Sequence, residues 1–314
     1  VFDSTLKGIL IAFASFAAFA WSDASVKLIE GQISPIESAF FGAVFGTVAL
    51  PFLRKRKDQW RDVLRTTNRP LWLLRFVSSG MGAIGSVTAF THLSMAEAFA
   101  LIFLLPSFVT IMSVVFLKEQ VGIKRWSAVI IGFVGVLIIL RPGFRELSIG
   151  HLGAIIGGLS GALSIVIFRA MGPSEKNISL YGAGVLGTLF LCGLAMIPDF
   201  QPPNAEQWLW LAGYGLFAAL ANVLLMYAAQ YAPATVIGPT QYSQMLWAIL
   251  FGYLIFGDHV DQWMLCGIVL IIGSGMLTLI REKQRHTPLP SSVAADQNVA
   301  LAITPENQDT DTKA

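Results

Sequence analysis

Apolar residues run in long unbroken stretches along most of this chain, separated by short polar connections. A helix needs roughly 20 apolar residues to cross a bilayer. Ten stretches meet or approach that length: 6–29, 33–53, 70–91, 95–117, 124–140, 149–170, 179–197, 207–230, 235–256 and 262–280. None alternates strictly, which excludes barrel strands, so the fold class is all-α, a polytopic membrane protein with ten predicted transmembrane helices. The first stretch, led by Lys7, is read as helix one rather than as a cleaved signal. From 282 onward, Pro288, Pro290 and Pro305 lie among Ser, Thr, Asn and Gln without apolar period, which predicts a disordered tail over 282–314.

Composition agrees with the pattern. Charged residues make up 13% of the 314 positions, against about 25% in soluble domains, and mean hydropathy is +0.66. Such a chain cannot cover a water-facing surface, which excludes a soluble enzyme, a nucleic-acid-binding domain and a disordered scaffold. Lys and Arg favour the cytoplasmic side. With the amino terminus inside, all of them except Lys27, Arg141 and Arg145 fall on that side, including the basic loop from Arg54 to Arg69. Both termini are therefore expected in the cytoplasm, with the chain in the inner membrane. Trp60 and Trp72 near the ends of the basic loop leave anionic headgroup contact open beside its role as an orientation signal.

The chain also repeats itself. Residues 90–118 read FTHLSMAEAFALIFLLPSFVTIMSVVFLK and residues 227–257 read YAAQYAPATVIGPTQYSQMLWAILFGYLIFG. Each is a helix end, an Ala-rich hinge and a second helix that finishes just before an acid, Glu119 or Asp258. Ala128 and Gly267 keep the same spacing. Ten helices then divide into five-helix units over 1–147 and 148–281. An odd number per unit inverts the second in the membrane, an arrangement found in transporters that rock around a central site.

Three segments carry a family resemblance: LLPSFVTIMSVVFLKEQVGIKRW, the Ala-rich link MAEA before it, and the later echo FGYLIFGDHVDQW. Together with the helix count, they resemble the EamA-type permeases of the drug/metabolite transporter superfamily. The resemblance implies two inverted five-helix repeats and a central cavity bounded by helices one, three, four, six, eight and nine. The segment YAPATVIGPTQYSQMLWAILFGYLIFGD is similar to the branch that exports aromatic and other neutral amino acids, which implies an amino-acid substrate. The second half departs from the pattern. The position matching Pro106 lies near Ser243 to Met245, and the nearest prolines are Pro233 and Pro239.

Polar side chains at lipid depth are the candidate substrate contacts, because they normally face the bundle interior or a wet cavity. Gln241 and Gln244 on helix nine and Asn222 on helix eight offer donors and acceptors suited to a zwitterion; helix–helix hydrogen bonding is their alternative role. Ser79 and Ser164 lie among small residues, where a hydroxyl can equally bond its own carbonyl four residues back. Phe99 and Phe103 lead to Pro106 along one face of helix four, and Trp21 and Tyr242 are candidate cavity neighbours. Pro106 has no N–H for the carbonyl of Ile102, so it is a hinge candidate, and Pro239 in the second half is another.

Asp23 and Lys27, one helical turn apart, are gate or proton-site candidates, or an interfacial ion pair. Glu97 and His92 flank the short link between helices three and four, where water contact is expected. Repeated small residues, including Gly153 and Gly157, suit close helix packing.

Other signals point away from enzymes. GMGAIG and GAGVLG fit a dinucleotide fingerprint, but both lie inside spans rather than after strands. Cys192 and Cys266 lack metal-ligand spacing, and the four His include no H-E-x-x-H pair. The expectation is an alternating-access amino-acid exporter without cofactor, catalytic group or metal, partnered by its small-molecule substrate and the lipid bilayer and not by nucleic acid. One chain suffices to enclose the cavity. A permease for another small organic metabolite or drug, including uptake, is the alternative.

Overall fold

The computed structural model describes residues 2–53, 58–118, 121–140, 147–171, 175–231 and 237–284. Glu119, Arg141, Arg145, Pro233, residues 54–57 of the basic loop and the tail from 285 lie outside the described residues. Among the described residues all the regular secondary structure is helical, with no strand. Their α-helices are α1 (Phe2–Lys27), α2 (Pro35–Gly46), α3 (Leu50–Leu53), α4 (Arg69–His92), α5 (Met95–Ile102), α6 (Leu105–Leu117), α7 (Ile123–Leu140), α8 (Ile149–Met171), α9 (Asn177–Met196), α10 (Ala205–Tyr231), α11 (Ser243–Phe256) and α12 (Gln262–Gln284).

Among the described residues, seven helical segments are long and apolar enough to cross a membrane, and α7 and α12 contribute shorter apolar runs. Large apolar side chains such as Phe116, Ile130, Leu209, Leu254 and Val269 stay on the outside. An apolar surface of this extent belongs in lipid.

Helix starts are written locally. The side chains of Ser34, Asn68 and Ser94 cap α2, α4 and α5 by accepting the backbone N–H three residues on. Three stretches that the apolar pattern predicts as continuous are interrupted. After Gly46, α2 passes through a 3-10 turn, Thr47–Ala49, into α3. Helix four divides at Phe103 and Leu104, because Pro106 in the first turn of α6 cannot donate to Ile102. In helix nine a 3-10 turn, Gly238–Tyr242, with Pro239 in its first positions, follows the helical Ile237 and precedes α11. The spacing between Phe103 and Tyr242 equals that between Glu119 and Asp258. At the far ends, Lys118 (φ 55°) caps α6 and Gly257 (φ 66°) caps α11, both left-handed and again at that spacing.

Packing pairs α1 with α10, α4 with α8, α2 with α9, and α7 with α12. Glycines permit two of these crossings. A Cβ at Gly153 would lie 2.6 Å from the Gly85 carbonyl oxygen, and one at Gly85 2.7 Å from that of Gly153. Gly135 and Gly267 oppose each other in the same way between α7 and α12. With no hydrophobic effect between helices in lipid, such close contact and interhelical hydrogen bonds hold the bundle. Ser15 and Ser22 of α1 donate to the carbonyls of Ala221 and Tyr214 on α10, each at 2.7 Å.

Candidate functional site

Asp23 and Lys27 lie one turn apart on α1, both buried. Gln244 Nε2 donates to Asp23 Oδ2 at 3.3 Å. Lys27 Nζ donates to the Leu93 carbonyl at 2.7 Å and lies 3.8 Å from Asp258 Oδ2, which also accepts the Met95 N–H at 3.0 Å. The i, i+4 ion-pair reading is corrected: α11 captures the acid, and the α4–α5 link with Asp258 captures the ammonium. Glu97 is corrected too, since it is buried and its Oε1 lies 3.2 Å from His151 Nε2 on α8.

The breaks in helices four and nine meet. Phe103 stacks on Tyr242 with ring centroids 5.7 Å apart and planes at 27°. Phe99 continues the row at 6.2 Å from Phe103, and Phe90 at 5.0 Å from Phe99. Gln241 and Gln244 are both buried beside this junction, in the 3-10 turn and the first turn of α11. Phe99, Phe103, Gln241, Tyr242 and Gln244 thus gather at this junction, with Asp23 joined through Gln244.

The other candidates lie elsewhere. Trp21 makes edge contacts with Phe217 at 6.1 Å and Phe251 at 5.3 Å. Ser164 donates to the Ser160 carbonyl at 3.0 Å. Ser79 is half-buried, facing Gly184 of α9 beside Arg75. Asn222 is wholly buried, donates to the Ala218 carbonyl at 2.8 Å, and lines a cavity of about 20 Å³ between α2, α4, α9 and α10.

Arg75 is a residue that the sequence reading used only as an orientation charge. It is wholly buried, its Nε donates to the Leu180 carbonyl at 2.8 Å, and its guanidinium lies 4.7 Å from the Phe168 ring centroid. The available signal was an arginine one turn and a half inside an apolar run, rather than at its border. Among the described residues no cluster of His, Cys, Asp or Glu could hold a metal ion.

Two carboxylates tie loops across the bundle at opposite ends. Glu37, in the first turn of α2, accepts the Gln201 N–H at 2.8 Å. Glu175, just ahead of α9, accepts the Thr67 N–H at 2.8 Å and the hydroxyls of Thr67 and Thr66 at 2.6 and 3.1 Å. Beside Glu175, Lys176 Nζ reaches Asp62 Oδ2 at 2.6 Å and Asp58 Oδ1 at 3.6 Å. The Gln59 N–H and then the Lys176 ammonium hold the Asp62 carboxyl below its ordinary range, while Asp62 in turn raises Lys176. At the Glu37 end a groove of about 610 Å³ opens, lined in part by Glu30, His92, Asp199 and Gln201.

The EamA-like transporter family model matches residues 6–141 and 148–280, nearly the whole helical region in two halves. An uncharacterized transporter of Helicobacter pylori is 26% identical, over 88% of this chain and 95% of its own. An S-adenosylmethionine uptake transporter of Rickettsia felis is 24% identical, over 89% and 94%. The pseudopaline exporter CntI of Pseudomonas aeruginosa is 24% identical, over 87% and 95%. A solved crystal structure shares the fold with a TM-score of 0.59 at 16% identity, covering 90% of this chain and 98% of that one. The chain belongs to the EamA-like transporter family and is a multi-pass membrane transporter for small molecules, not an enzyme.

Proposed function

We propose that this protein is a ten-helix carrier of two inverted five-helix units, 1–147 and 148–281, which exports amino acids by alternating access around the Phe103–Tyr242 junction. The observation that carries the reading is that stack. Phe103 and Tyr242 hold corresponding positions in the two halves and touch each other, as counterparts do only on an axis relating the halves. The packing supports it. If α1, α2, α4, α6 and α7 correspond to α8, α9, α10, α11 and α12, the α1·α10 contact exchanges with α8·α4, α4·α9 with α10·α2, and α1·α11 with α8·α6. The α2·α9 and α7·α12 contacts map onto themselves.

On this reading helices four and nine are broken where the two units meet, as in transporters whose discontinuous helices frame the substrate. The Phe99 and Phe103 rings and Tyr242 supply flat apolar contact, the carboxamides of Gln241 and Gln244 supply hydrogen bonds, and Asp23 supplies a negative charge for a substrate ammonium. Trp21, Ser79 and Ser164 act outside this first contact set. Pro106 and Pro239 are the hinges. The Lys27 end faces outward and the Asp62 end the cytoplasm of the inner-membrane protein, following the positive-inside rule. A monomer carries the whole site.

A second reading, a permease for a larger metabolite, is favoured by relatives named for S-adenosylmethionine uptake and pseudopaline export. The test is flux of labelled aromatic and neutral amino acids through purified protein in liposomes, with S-adenosylmethionine as competitor. Saturable amino-acid flux, lowered at least tenfold in Gln244→Ala and Phe103→Ala, is the expected result. Flux of the competitor alone would overturn the amino-acid reading in favour of the second, and unaltered flux in both variants would remove the junction from the substrate path.

A further inference from the structure

The described part of the basic loop ahead of α4 is fixed to the bundle by its acids, while its arginines stay on the outside. Within it, Trp60–Val63 forms a 3-10 turn closed by Asp62, whose Oδ2 accepts the Gln59 N–H at 2.8 Å. Lys176 gathers both acids of this stretch, with Nζ 2.6 Å from Asp62 Oδ2 and 3.6 Å from Asp58 Oδ1. Glu175 accepts the N–H and the hydroxyl of Thr67, and Val63 packs where a Cβ on Gly182 of α9 would stand. Asp62 and Glu175 are buried in this clasp, and Asp58 is half-buried.

What faces away from the clasp has the opposite character. Trp60 is 53% exposed, Leu64 67% and the Arg65 side chain 62%, with Arg65 Nη1 still 4.0 Å from Asp62 Oδ1. Arg61 and Arg69 are exposed as well. Of the two tryptophans near the ends of the loop, Trp72 is committed inward, its indole N–H donating to the Ser179 carbonyl at 3.2 Å. Trp60 is the one turned out.

The level of this surface in the bilayer follows from the helices beside it. Leu73, Leu74 and Val77 are exposed apolar residues of the spanning helix α4, so they meet lipid tails. Arg69, the first residue of α4, stands one turn before Leu73, where the helix leaves the hydrocarbon for the headgroups. Val63 reaches Gly182, one turn into the span of α9, which holds the 3-10 turn near the same level. An indole at that level takes the boundary between tails and water. A guanidinium there pairs with phosphate through two parallel hydrogen bonds, and clustered basic residues beside a span attract anionic lipid.

We propose that Trp60, Arg61, Leu64, Arg65 and Arg69 form a docking surface for the headgroups of anionic phospholipids in the adjoining leaflet. Two observations carry it: the acids are turned into the clasp while the arginines are turned out, and the surface continues the lipid-facing side of α4. It holds whatever the substrate is, so its test needs no transport.

The experiment places the purified full chain in phosphatidylcholine vesicles that contain a minor fraction of lipid brominated high in its acyl chains, and reads quenching of tryptophan fluorescence. In one set the brominated lipid is phosphatidylglycerol, in the other phosphatidylcholine. The chain has 8 Trp, so the signal of Trp60 is the part that Trp60→Phe removes. That part is expected to be quenched at least about twofold more by the phosphatidylglycerol than by the phosphatidylcholine. The preference falls to parity in the combined variant Arg61→Gln, Arg65→Gln, Arg69→Gln. It is retained when the same three positions become Lys and lowered by added salt, responses that follow charge and not packing. Equal quenching by the two lipids in the unaltered chain, or a preference that survives the Gln variant, would overturn the proposal. So would quenching of Trp60 by neither lipid, which would leave the surface to an acidic protein partner.

Discussion

The two ends of the bundle are closed by different physics. At the Lys27 end one ammonium, 8% exposed, sits between the Leu93 carbonyl and Asp258, inside the contact of α1, α5 and α11. At the Asp62 end Lys176 is half in water, with its side chain 47% exposed, and shares two acids, Asp58 and Asp62. A buried pair that loses one member leaves an uncompensated charge in a poor solvent, whereas an exposed pair is replaced by water at small cost. The Lys27 end is therefore expected to resist separation more than the Asp62 end. If the protein alternates access as proposed, this asymmetry favours opening at the Asp62 end.

The largest way to break the comparison is Lys27→Met, which strands the Asp258 carboxylate against the Met95 N–H alone. A loss of about 3–5 kcal/mol is expected, read as a fall in the detergent unfolding midpoint, with Asp258→Asn restoring part of it in the double variant. A double variant no better than the single would mean that the pair is not the tie.

The carboxylate clasps sharpen the contrast. Glu175 receives three donors at one oxygen, whereas Glu37 accepts the backbone N–H of Gln201. Hydrogen bonds to charged groups contribute about 1.5–3 kcal/mol, so Glu175→Gln is expected to cost more than Glu37→Gln, by about 1–2 kcal/mol. Equal midpoint shifts would mean that the two clasps are energetically matched.

The helix ends at Lys118 and Gly257 test whether matched geometry is matched in energy. Gly257→Ala introduces a Cβ at φ 66° and is expected to destabilise by about 1 kcal/mol, whereas Lys118→Gly relieves φ 55° and is expected to be neutral or to stabilise by up to about 1 kcal/mol. Opposite signs in paired unfolding curves are the expected outcome.

The smallest effect is at the exposed pair. The lowered Asp62 value contributes stability above the ordinary carboxylate range, lost as pH falls through the folded value. The raised Lys176 value contributes below the ordinary lysine range, lost as pH rises through its folded value. The tie is thus intact between those limits, and Lys176→Met should flatten the acidic limb of a stability–pH profile only slightly, and less still in high salt.

Apolar stretches carried most of the fold, because a chain in lipid must satisfy its backbone within each span and so declares its helices by length and composition. The repeat was legible as well: the spacing of Glu119 and Asp258 also relates Phe103 to Tyr242 and Lys118 to Gly257. Gln244, Phe99 and Phe103 could be singled out because carboxamides and a ring–ring–proline row are conspicuous in an apolar helix. Their company could not. Asp23 and Lys27 read as partners from their spacing, yet Gln244 and Asp258, more than two hundred residues away in the chain, hold them instead.

Arg75 read only as a cytoplasmic-side charge and Glu97 as water-facing, yet Leu180 and Phe168 hold the first and His151 the second. Asn222 read as a candidate substrate contact, and its amide opens on the small cavity between α2, α4, α9 and α10. Local sequence sets which segments are helical and where proline or a left-handed cap must end them, since those are short-range constraints on dihedrals and N–H groups. Which polar groups meet is decided only when helices from the two halves pack, because at lipid depth each buried polar atom takes whatever partner the neighbouring helix presents.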